Sequence, residues 1–112
     1  MMDGFGFPVS AGNFRFRAES PIVRRLTQDL GSKDAALDLG SGIGHWAEQF
    51  AHDFFRVVAV ESSSALYQAL QDRCAGYPNV RPVLGNVLTF ELDGKDDLVF
   101  LGGLLMYLDE ND

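Results

Sequence analysis

The chain has 112 residues, with 9 Lys+Arg against 16 Asp+Glu and a formal charge of −7. Surface scaling lets a chain of this size bury about two-thirds of its surface in a single core, and 46% hydrophobic with 22% charged residues excludes a disordered or low-complexity chain. The acidity argues against a nucleic-acid partner. Counterion release needs Lys and Arg gathered on one face, whereas the close basic pairs here are Arg15/Arg17 and Arg24/Arg25. One cysteine, Cys74, cannot form an internal disulfide, and no secretory leader is recognisable. The longest apolar stretch, Leu98 to Leu108, has 11 residues, short of the roughly 18 that a membrane helix needs. The expected setting is therefore the cytoplasm, with no membrane partner.

Residues 1–19 read as an N-terminal arm in which Gly4, Gly6, Gly12 and Pro8 alternate with Phe5, Phe7, Phe14 and Phe16 without a helical or strand period. A strap pinned to the domain is the plainer reading and a lid over a ligand the functional one. The domain proper is taken as residues 20–112. Ser20 followed by Pro21 starts a helix whose apolar face is Ile22, Val23, Leu26 and Leu30, with Gly31 as a left-handed end. Ala35 to Leu39 is a short buried strand running into a glycine cluster. His45 to Phe54 returns to helical spacing, with Trp46, Ala47, Phe50, Ala51 and Phe54 inward and Glu48, Gln49 and Asp53 outward. Val57 to Val60 is apolar on both faces, as in a covered parallel strand, and Glu61 closes it. Ser62, Ser63 and Ser64 offer caps for a helix burying Leu66, Ala69, Leu70 and Cys74 and ending at Gly76. Strands follow at Val80 to Leu84 and Leu98 to Leu101. The order predicts an α/β fold, a Rossmann-like, doubly wound and mainly parallel sheet of about four strands with flanking helices.

The sharpest chemical signal is Asp38-Leu39-Gly40-Ser41-Gly42-Ile43-Gly44, where a strand turns into a helix. Gly40 permits the tight turn, Gly42 lets a ligand approach the backbone, and Gly44 opens a helix whose free amides favour an anionic group. Glu61 lies at the end of the next strand, 61 − 40 = 21 residues on, where a carboxylate accepts hydrogen bonds from ribose hydroxyls. A dinucleotide G-x-G-x-x-G started at Gly40 would put its last glycine at position 45, which is His45. That departure disfavours a nicotinamide-dependent oxidoreductase.

With the spacing D-x-G-x-G-x-G the chain resembles the class I S-adenosylmethionine-dependent methyltransferases, over roughly Ser20 to Asp112. The resemblance rests on Ala36 to Gly44, Val58 to Ser63, Val83 to Val87 and Asp97 to Phe100, in family order. It implies S-adenosylmethionine as cofactor and S-adenosylhomocysteine as product. Gly40, Ser41, Gly42 and Gly44 would wrap the methionine part, with Asp38 shaping the loop; Glu61 would hold the ribose and Ser62 flank the adenine. Where the family most often has an acid on the adenine amino group, this chain has Asn86, whose side-chain carbonyl still accepts that bond. Val87 would lie on the purine face, and the backbone at Gly102 would approach the sulfonium. No metal ligands are expected, and no catalytic residue is assigned. His45 and His52 are the local candidates for a general base, with helix-start and surface roles the stronger readings.

After the fourth strand the chain reads Gly102-Gly103-Leu104-Leu105-Met106-Tyr107, without the Asn/Asp-Pro-Pro-Tyr/Phe of enzymes acting on DNA amino groups or glutamine. No Pro-Cys nucleophile is present either. The expected acceptor is a small molecule, with Tyr107 either packing in a helix or facing the acceptor pocket. Family members have seven strands, so the chain reads as an incomplete domain, and the exposed edge of the fourth strand suggests self-association through Leu98 to Leu108. The alternative function is a non-catalytic module that binds the cofactor.

Overall fold

The computed structural model describes residues 21, 23–25, 27–91, 95–101 and 104–107. The proposed arm lies outside them. Among the described residues five strands form one sheet: β1 Ala35–Leu39, β2 Arg56–Glu61, β3 Val80–Leu84, β4 Leu98–Leu101 and β5 Leu104–Tyr107. Their spatial order is β3-β2-β1-β4-β5. The first four run parallel, with Leu37 beside Val58 and Val99, and Val60 beside Val83. Helix α1, His45–Asp53, joins β1 to β2, and helix α2, Ser64–Cys74, joins β2 to β3. The α/β, Rossmann-like class expected of the sequence is the fold observed.

Strand alternation divides the core. Ala36, Val57, Ala59, Leu98 and Phe100 face the helices and pack with Phe50, Phe54, Leu70 and Cys74. Phe100 packs on the α1 aromatics, tilted against Trp46 with ring centroids 4.9 Å apart and edge-on to Phe50 at 5.4 Å. Leu37, Leu39, Val60 and Val99 face the other way, covered in part by Val87 and Phe90 of the loop after β3. Helical backbone at 21, 23–25, 27 and 28 adds Val23 to the helix side of the core. Two polar clamps hold the strand starts. The Asp97 carboxylate accepts from the amides of Asp34 and Ala35 at 2.9 and 3.0 Å, and the Asn79 side-chain amide donates to the carbonyls of Ala51 and Phe54.

Several local expectations change. Gln49, placed outward by helical period, is buried, because Arg24 of the preceding helical segment donates to its Oε1 at 3.1 Å. Gly31 does not adopt a left-handed backbone; among the described residues the positive-φ glycines are Gly40, Gly42 and Gly44. Residues 104–107, read as the approach to a helix carrying Tyr107, form strand β5. It runs antiparallel to β4 and pairs Leu98 with Tyr107 and Leu101 with Leu104. Two glycines separate β4 from β5 in sequence, a dipeptide of the kind that closes two-residue hairpins. The outer edge of β4 is therefore occupied within the chain, which removes the ground for self-association through it.

Gly44 caps α1 at φ 95°, and a Cβ built there would lie 2.8 Å from Leu70 Cδ1 and 3.3 Å from Arg73 Cδ on α2. Gly42, at φ 59°, has nothing within 4 Å of such a Cβ. Gly44→Ala should therefore cost both left-handed strain and overpacking, about 2–4 kcal/mol, and Gly42→Ala only the strain, about 1–2 kcal/mol. Urea unfolding of the two variants should show that order.

Candidate functional site

Because β1, β2 and β3 are parallel, their carboxyl ends lie along one rim, with Leu39 beside Val60 and Glu61 beside Leu84. The chain leaves β1 toward β2 on one side, while β4 returns on the other. The loop after β1 thus stands at the point where strand order reverses, the position at which open α/β sheets bind ligands.

The loop is built on β2. The amides of Gly40 and Ser41 both donate to the Val60 carbonyl, at 2.8 and 2.9 Å. The Ser41 hydroxyl donates to the Asp38 carbonyl at 2.9 Å, and the Gly44 amide closes the turn onto the Ser41 carbonyl. Glycines at φ 76°, 59° and 95° supply the left-handed backbone this path needs. Glu61 then completes it. Its carboxylate is 2% exposed; Oε1 accepts from the Gly42 amide at 2.7 Å and Oε2 from the Ser63 amide at 2.8 Å. One side chain therefore joins the glycine loop to the start of α2, where the Ser63 hydroxyl caps the Leu66 amide at 3.3 Å.

Asp38 sits behind the loop, 1% exposed, and its Oδ2 has no hydrogen-bond partner among the described residues. Burial pushes its carboxyl from an ordinary 3.8 up to about 7; the neighbouring Ser41 hydroxyl pulls the other way and the nearby Glu61 charge adds to the rise. An orphaned buried oxygen, open space over Gly42 and a strand-end carboxylate with lone pairs to spare fit a ligand bearing an amino group and a ribose.

Most of the expected site residues are thus brought together. Asp38, Gly40, Ser41, Gly42, Gly44 and Glu61 form one constellation, and Ser62 is exposed beside it. Past β3, the Gly85 amide donates to the Glu61 carbonyl at 3.0 Å, which carries Asn86 and Val87 onto the same rim. Val87 is half-buried against the second core cluster. Asn86 is exposed, and its Oδ1 accepts from the Leu88 amide at 2.8 Å. Gly102 lies outside the described residues. His45 opens α1, whereas His52 is on its last turn with its ring 5.5 Å from that of Tyr77, at the far end of the helix from the loop. No cluster of metal-ligating side chains occurs among the described residues.

Sequence reasoning missed two features of the site. The Glu61 bridge to Gly42 joins residues 19 apart and follows only once β1 and β2 are known to be neighbours. The exposed Leu84 and Leu88, 51% and 89% accessible, flank Asn86 and offer apolar contact at the rim. Their signal was a pair of leucines on either side of the Gly85-Asn86 turn.

This rim and loop define the class I S-adenosylmethionine-dependent methyltransferase fold. The chain belongs to the methyltransferase domain family, whose sequence pattern matches residues 36–112, and the cofactor of that family is S-adenosylmethionine. Among solved structures, an S-adenosylmethionine-bound amino pentose methyltransferase from Micromonospora echinaspora superposes with a TM-score of 0.64 at 27% identity, over 85% of this chain and 42% of that one. A protein from Methanococcus maripaludis described as a putative S-adenosylmethionine-dependent methyltransferase gives 0.70 at 21% identity, over 84% and 46%. A curated relative from Shouchella clausii, ribosomal RNA small subunit methyltransferase A, is 31% identical over 110 residues, covering 96% of this chain and 37% of that protein. The chain thus spans about a third of the length of such relatives. No helix among the described residues is long and apolar enough to cross a membrane.

Similarity to ribosomal RNA methyltransferases overturns the exclusion of nucleic acid drawn from the −7 charge. Net charge is a sum over the chain, whereas phosphate contacts are local and need only a few cations on one face.

Two expectations follow from the geometry. Gln at position 61 would turn an NH2 toward the amide of either Gly42 or Ser63, so Glu61→Gln should destabilise the fold by about 1–3 kcal/mol in urea unfolding. Asp38 acts through its proton. Its raised value means that between about pH 4 and 7 the folded chain holds a proton that the unfolded chain has released. Its contribution to stability is therefore full below that window and lost as pH rises through it. Asp38→Asn should remove this downward trend from urea midpoints measured across the window.

Proposed function

We propose that the chain is the cofactor-binding part of an S-adenosylmethionine-dependent methyltransferase whose acceptor is RNA. The observation that carries the cofactor half of this reading is the Glu61 carboxylate bound to the Gly42 amide at 2.7 Å, which holds the glycine loop in shape before any ligand arrives. Similarity to proteins named ribosomal RNA small subunit methyltransferase A supports the acceptor class. In this reading Gly40, Ser41, Gly42 and Gly44 surround the methionine part, and Asp38 faces its amino group. Glu61 holds the ribose through lone pairs that its two amide bonds leave over. Ser62, Asn86 and Val87 border the adenine. A cytoplasmic setting belongs to the same reading.

The cofactor supplies a sulfonium methyl with a neutral leaving group. The protein's part is then to align the two reactants and exclude water rather than to protonate the departing sulfur. A base is required only where the acceptor must lose a proton during transfer.

Calorimetric titration with S-adenosylhomocysteine and with NAD tests the cofactor, and transfer of labelled methyl to small-subunit ribosomal RNA and to a metabolite panel tests the acceptor. Binding of the homocysteine product but not NAD, with label in RNA, is expected. Binding of NAD alone would sink the cofactor assignment, and label confined to metabolites would sink the RNA acceptor.

A further inference from the structure

Two carboxyl groups are buried where β1 and β2 meet the glycine loop, Asp38 at 1% exposure and Glu61 at 2%, and their surroundings treat them differently. Glu61 has a backbone amide for each oxygen, from Gly42 and from Ser63. Asp38 has an oxygen, Oδ2, that meets no donor among the described residues. A bare carboxylate there would have lost its water without gaining a full set of partners, which is costly, whereas the neutral acid has no charge to solvate. Below about pH 7 the free protein therefore keeps a proton on Asp38, in keeping with the rise that burial imposes on its carboxyl.

Each element packed around Asp38 bears on that proton. From β2, the Glu61 charge opposes ionisation, and from the loop the Ser41 hydroxyl favours it. From α2, the Cys74 thiol is itself pushed up to about 11, chiefly by burial, and stays neutral where Asp38 titrates. Helix α1 brings His45 as its first residue and Glu48, which meets Arg73 of α2 at 3.8 Å. Ala59 and Phe100, the strand neighbours of Asp38, carry no charge. The charge that acts most directly on the carboxyl is thus a like charge.

A ligand bearing an ammonium group reverses this balance. An opposite charge within about 4–6 Å lowers a carboxyl pKa by about 1–3, and it does so through space, so the ammonium acts from the ligand side of the loop without entering the interior. The methionine part of the cofactor carries such a group. We infer that the site takes up its ligand with release of a proton from Asp38, so that affinity for S-adenosylmethionine and for S-adenosylhomocysteine rises with pH. The inference rests on the cofactor reading above and adds a pH gate to it. The bond that breaks is the Asp38 O–H; the proton passes to solvent, and the carboxylate left behind is balanced by the ammonium.

The test is calorimetric titration of S-adenosylhomocysteine into the full chain in phosphate and in imidazole buffer at matched pH, where the difference in buffer ionisation heat counts the protons released. Most of one proton should appear at pH 6, about half at pH 7 and about a tenth at pH 8, with affinity about five- to tenfold weaker at pH 6 than at pH 8. Asp38→Asn should bind without release and with affinity flat over that range, whereas His45→Gln should keep both effects; thermal unfolding checks that each variant folds. 5′-Methylthioadenosine, which has the nucleoside and thioether but no amino acid, should bind without release. Equal heats in the two buffers at pH 6, release that persists in Asp38→Asn or disappears in His45→Gln, or equal release with 5′-methylthioadenosine would overturn the inference and leave the cofactor reading standing, because the ligand binds in each case. Failure of S-adenosylhomocysteine to bind the parent chain would overturn both.

Discussion

The bridge from the Glu61 carboxylate to the amides of Gly42 and Ser63 is the constraint on which the rest of the site depends. A carboxylate 2% exposed at the end of a strand is costly unless its oxygens find donors. The donors it finds belong to two different crossovers, the loop entering α1 and the cap of α2. One buried charge thereby sets the position of both helix starts relative to β2. Backbone amides serve this purpose well because they arrive with fixed direction from elements already anchored in the sheet.

Around this bridge the loop spends conformational freedom only where it has to. The left-handed glycines of the described chain are Gly40, Gly42 and Gly44, and they fall within five residues. Their reasons differ. Gly40 lets two successive amides reach the Val60 carbonyl, and Gly44 lets α1 start against Leu70 and Arg73 of α2. Gly42 keeps its backbone open, with nothing near the position a side chain would fill. A buried Asp38, with its carboxyl raised to about 7 and one oxygen unpartnered among the described residues, completes a site held at some cost to stability. That cost is intelligible in a family whose catalysis consists largely of alignment, since a loop shaped in advance loses less on binding.

Much of this was legible one residue at a time. The apolar runs Ala35 to Leu39 and Val57 to Val60 mark buried parallel strands, and the D-x-G-x-G-x-G spacing with Glu61 beyond the next strand marks the loop and its acid. Failures occurred where a partner distant in sequence decides. Gln49 lies on the polar side of its helix by period, yet Arg24 approaches it and buries it. Gly31 has the position of a left-handed helix end and does not take that conformation. Leu104 to Tyr107 carries no period that separates strand from helix, and pairing with β4 makes it a strand. The −7 charge misled in the same way, because a sum over the chain does not locate its cations.

By itself the sequence determined the order of elements, the buried faces of the parallel strands, and which residues can enter tight or left-handed backbone, because these depend on local sterics and on periods of two and 3.6 residues. It also determined that a carboxylate would stand at the end of β2. Only the tertiary structure decided what that carboxylate holds, which way the Asn86 amide points, and that Asp38 keeps an unpartnered oxygen in the interior. Those are questions of which donor meets which acceptor. Hydrogen bonds between Gly42 and Glu61, or between Asp34 and Asp97, join residues that only the register of the sheet brings within 3 Å.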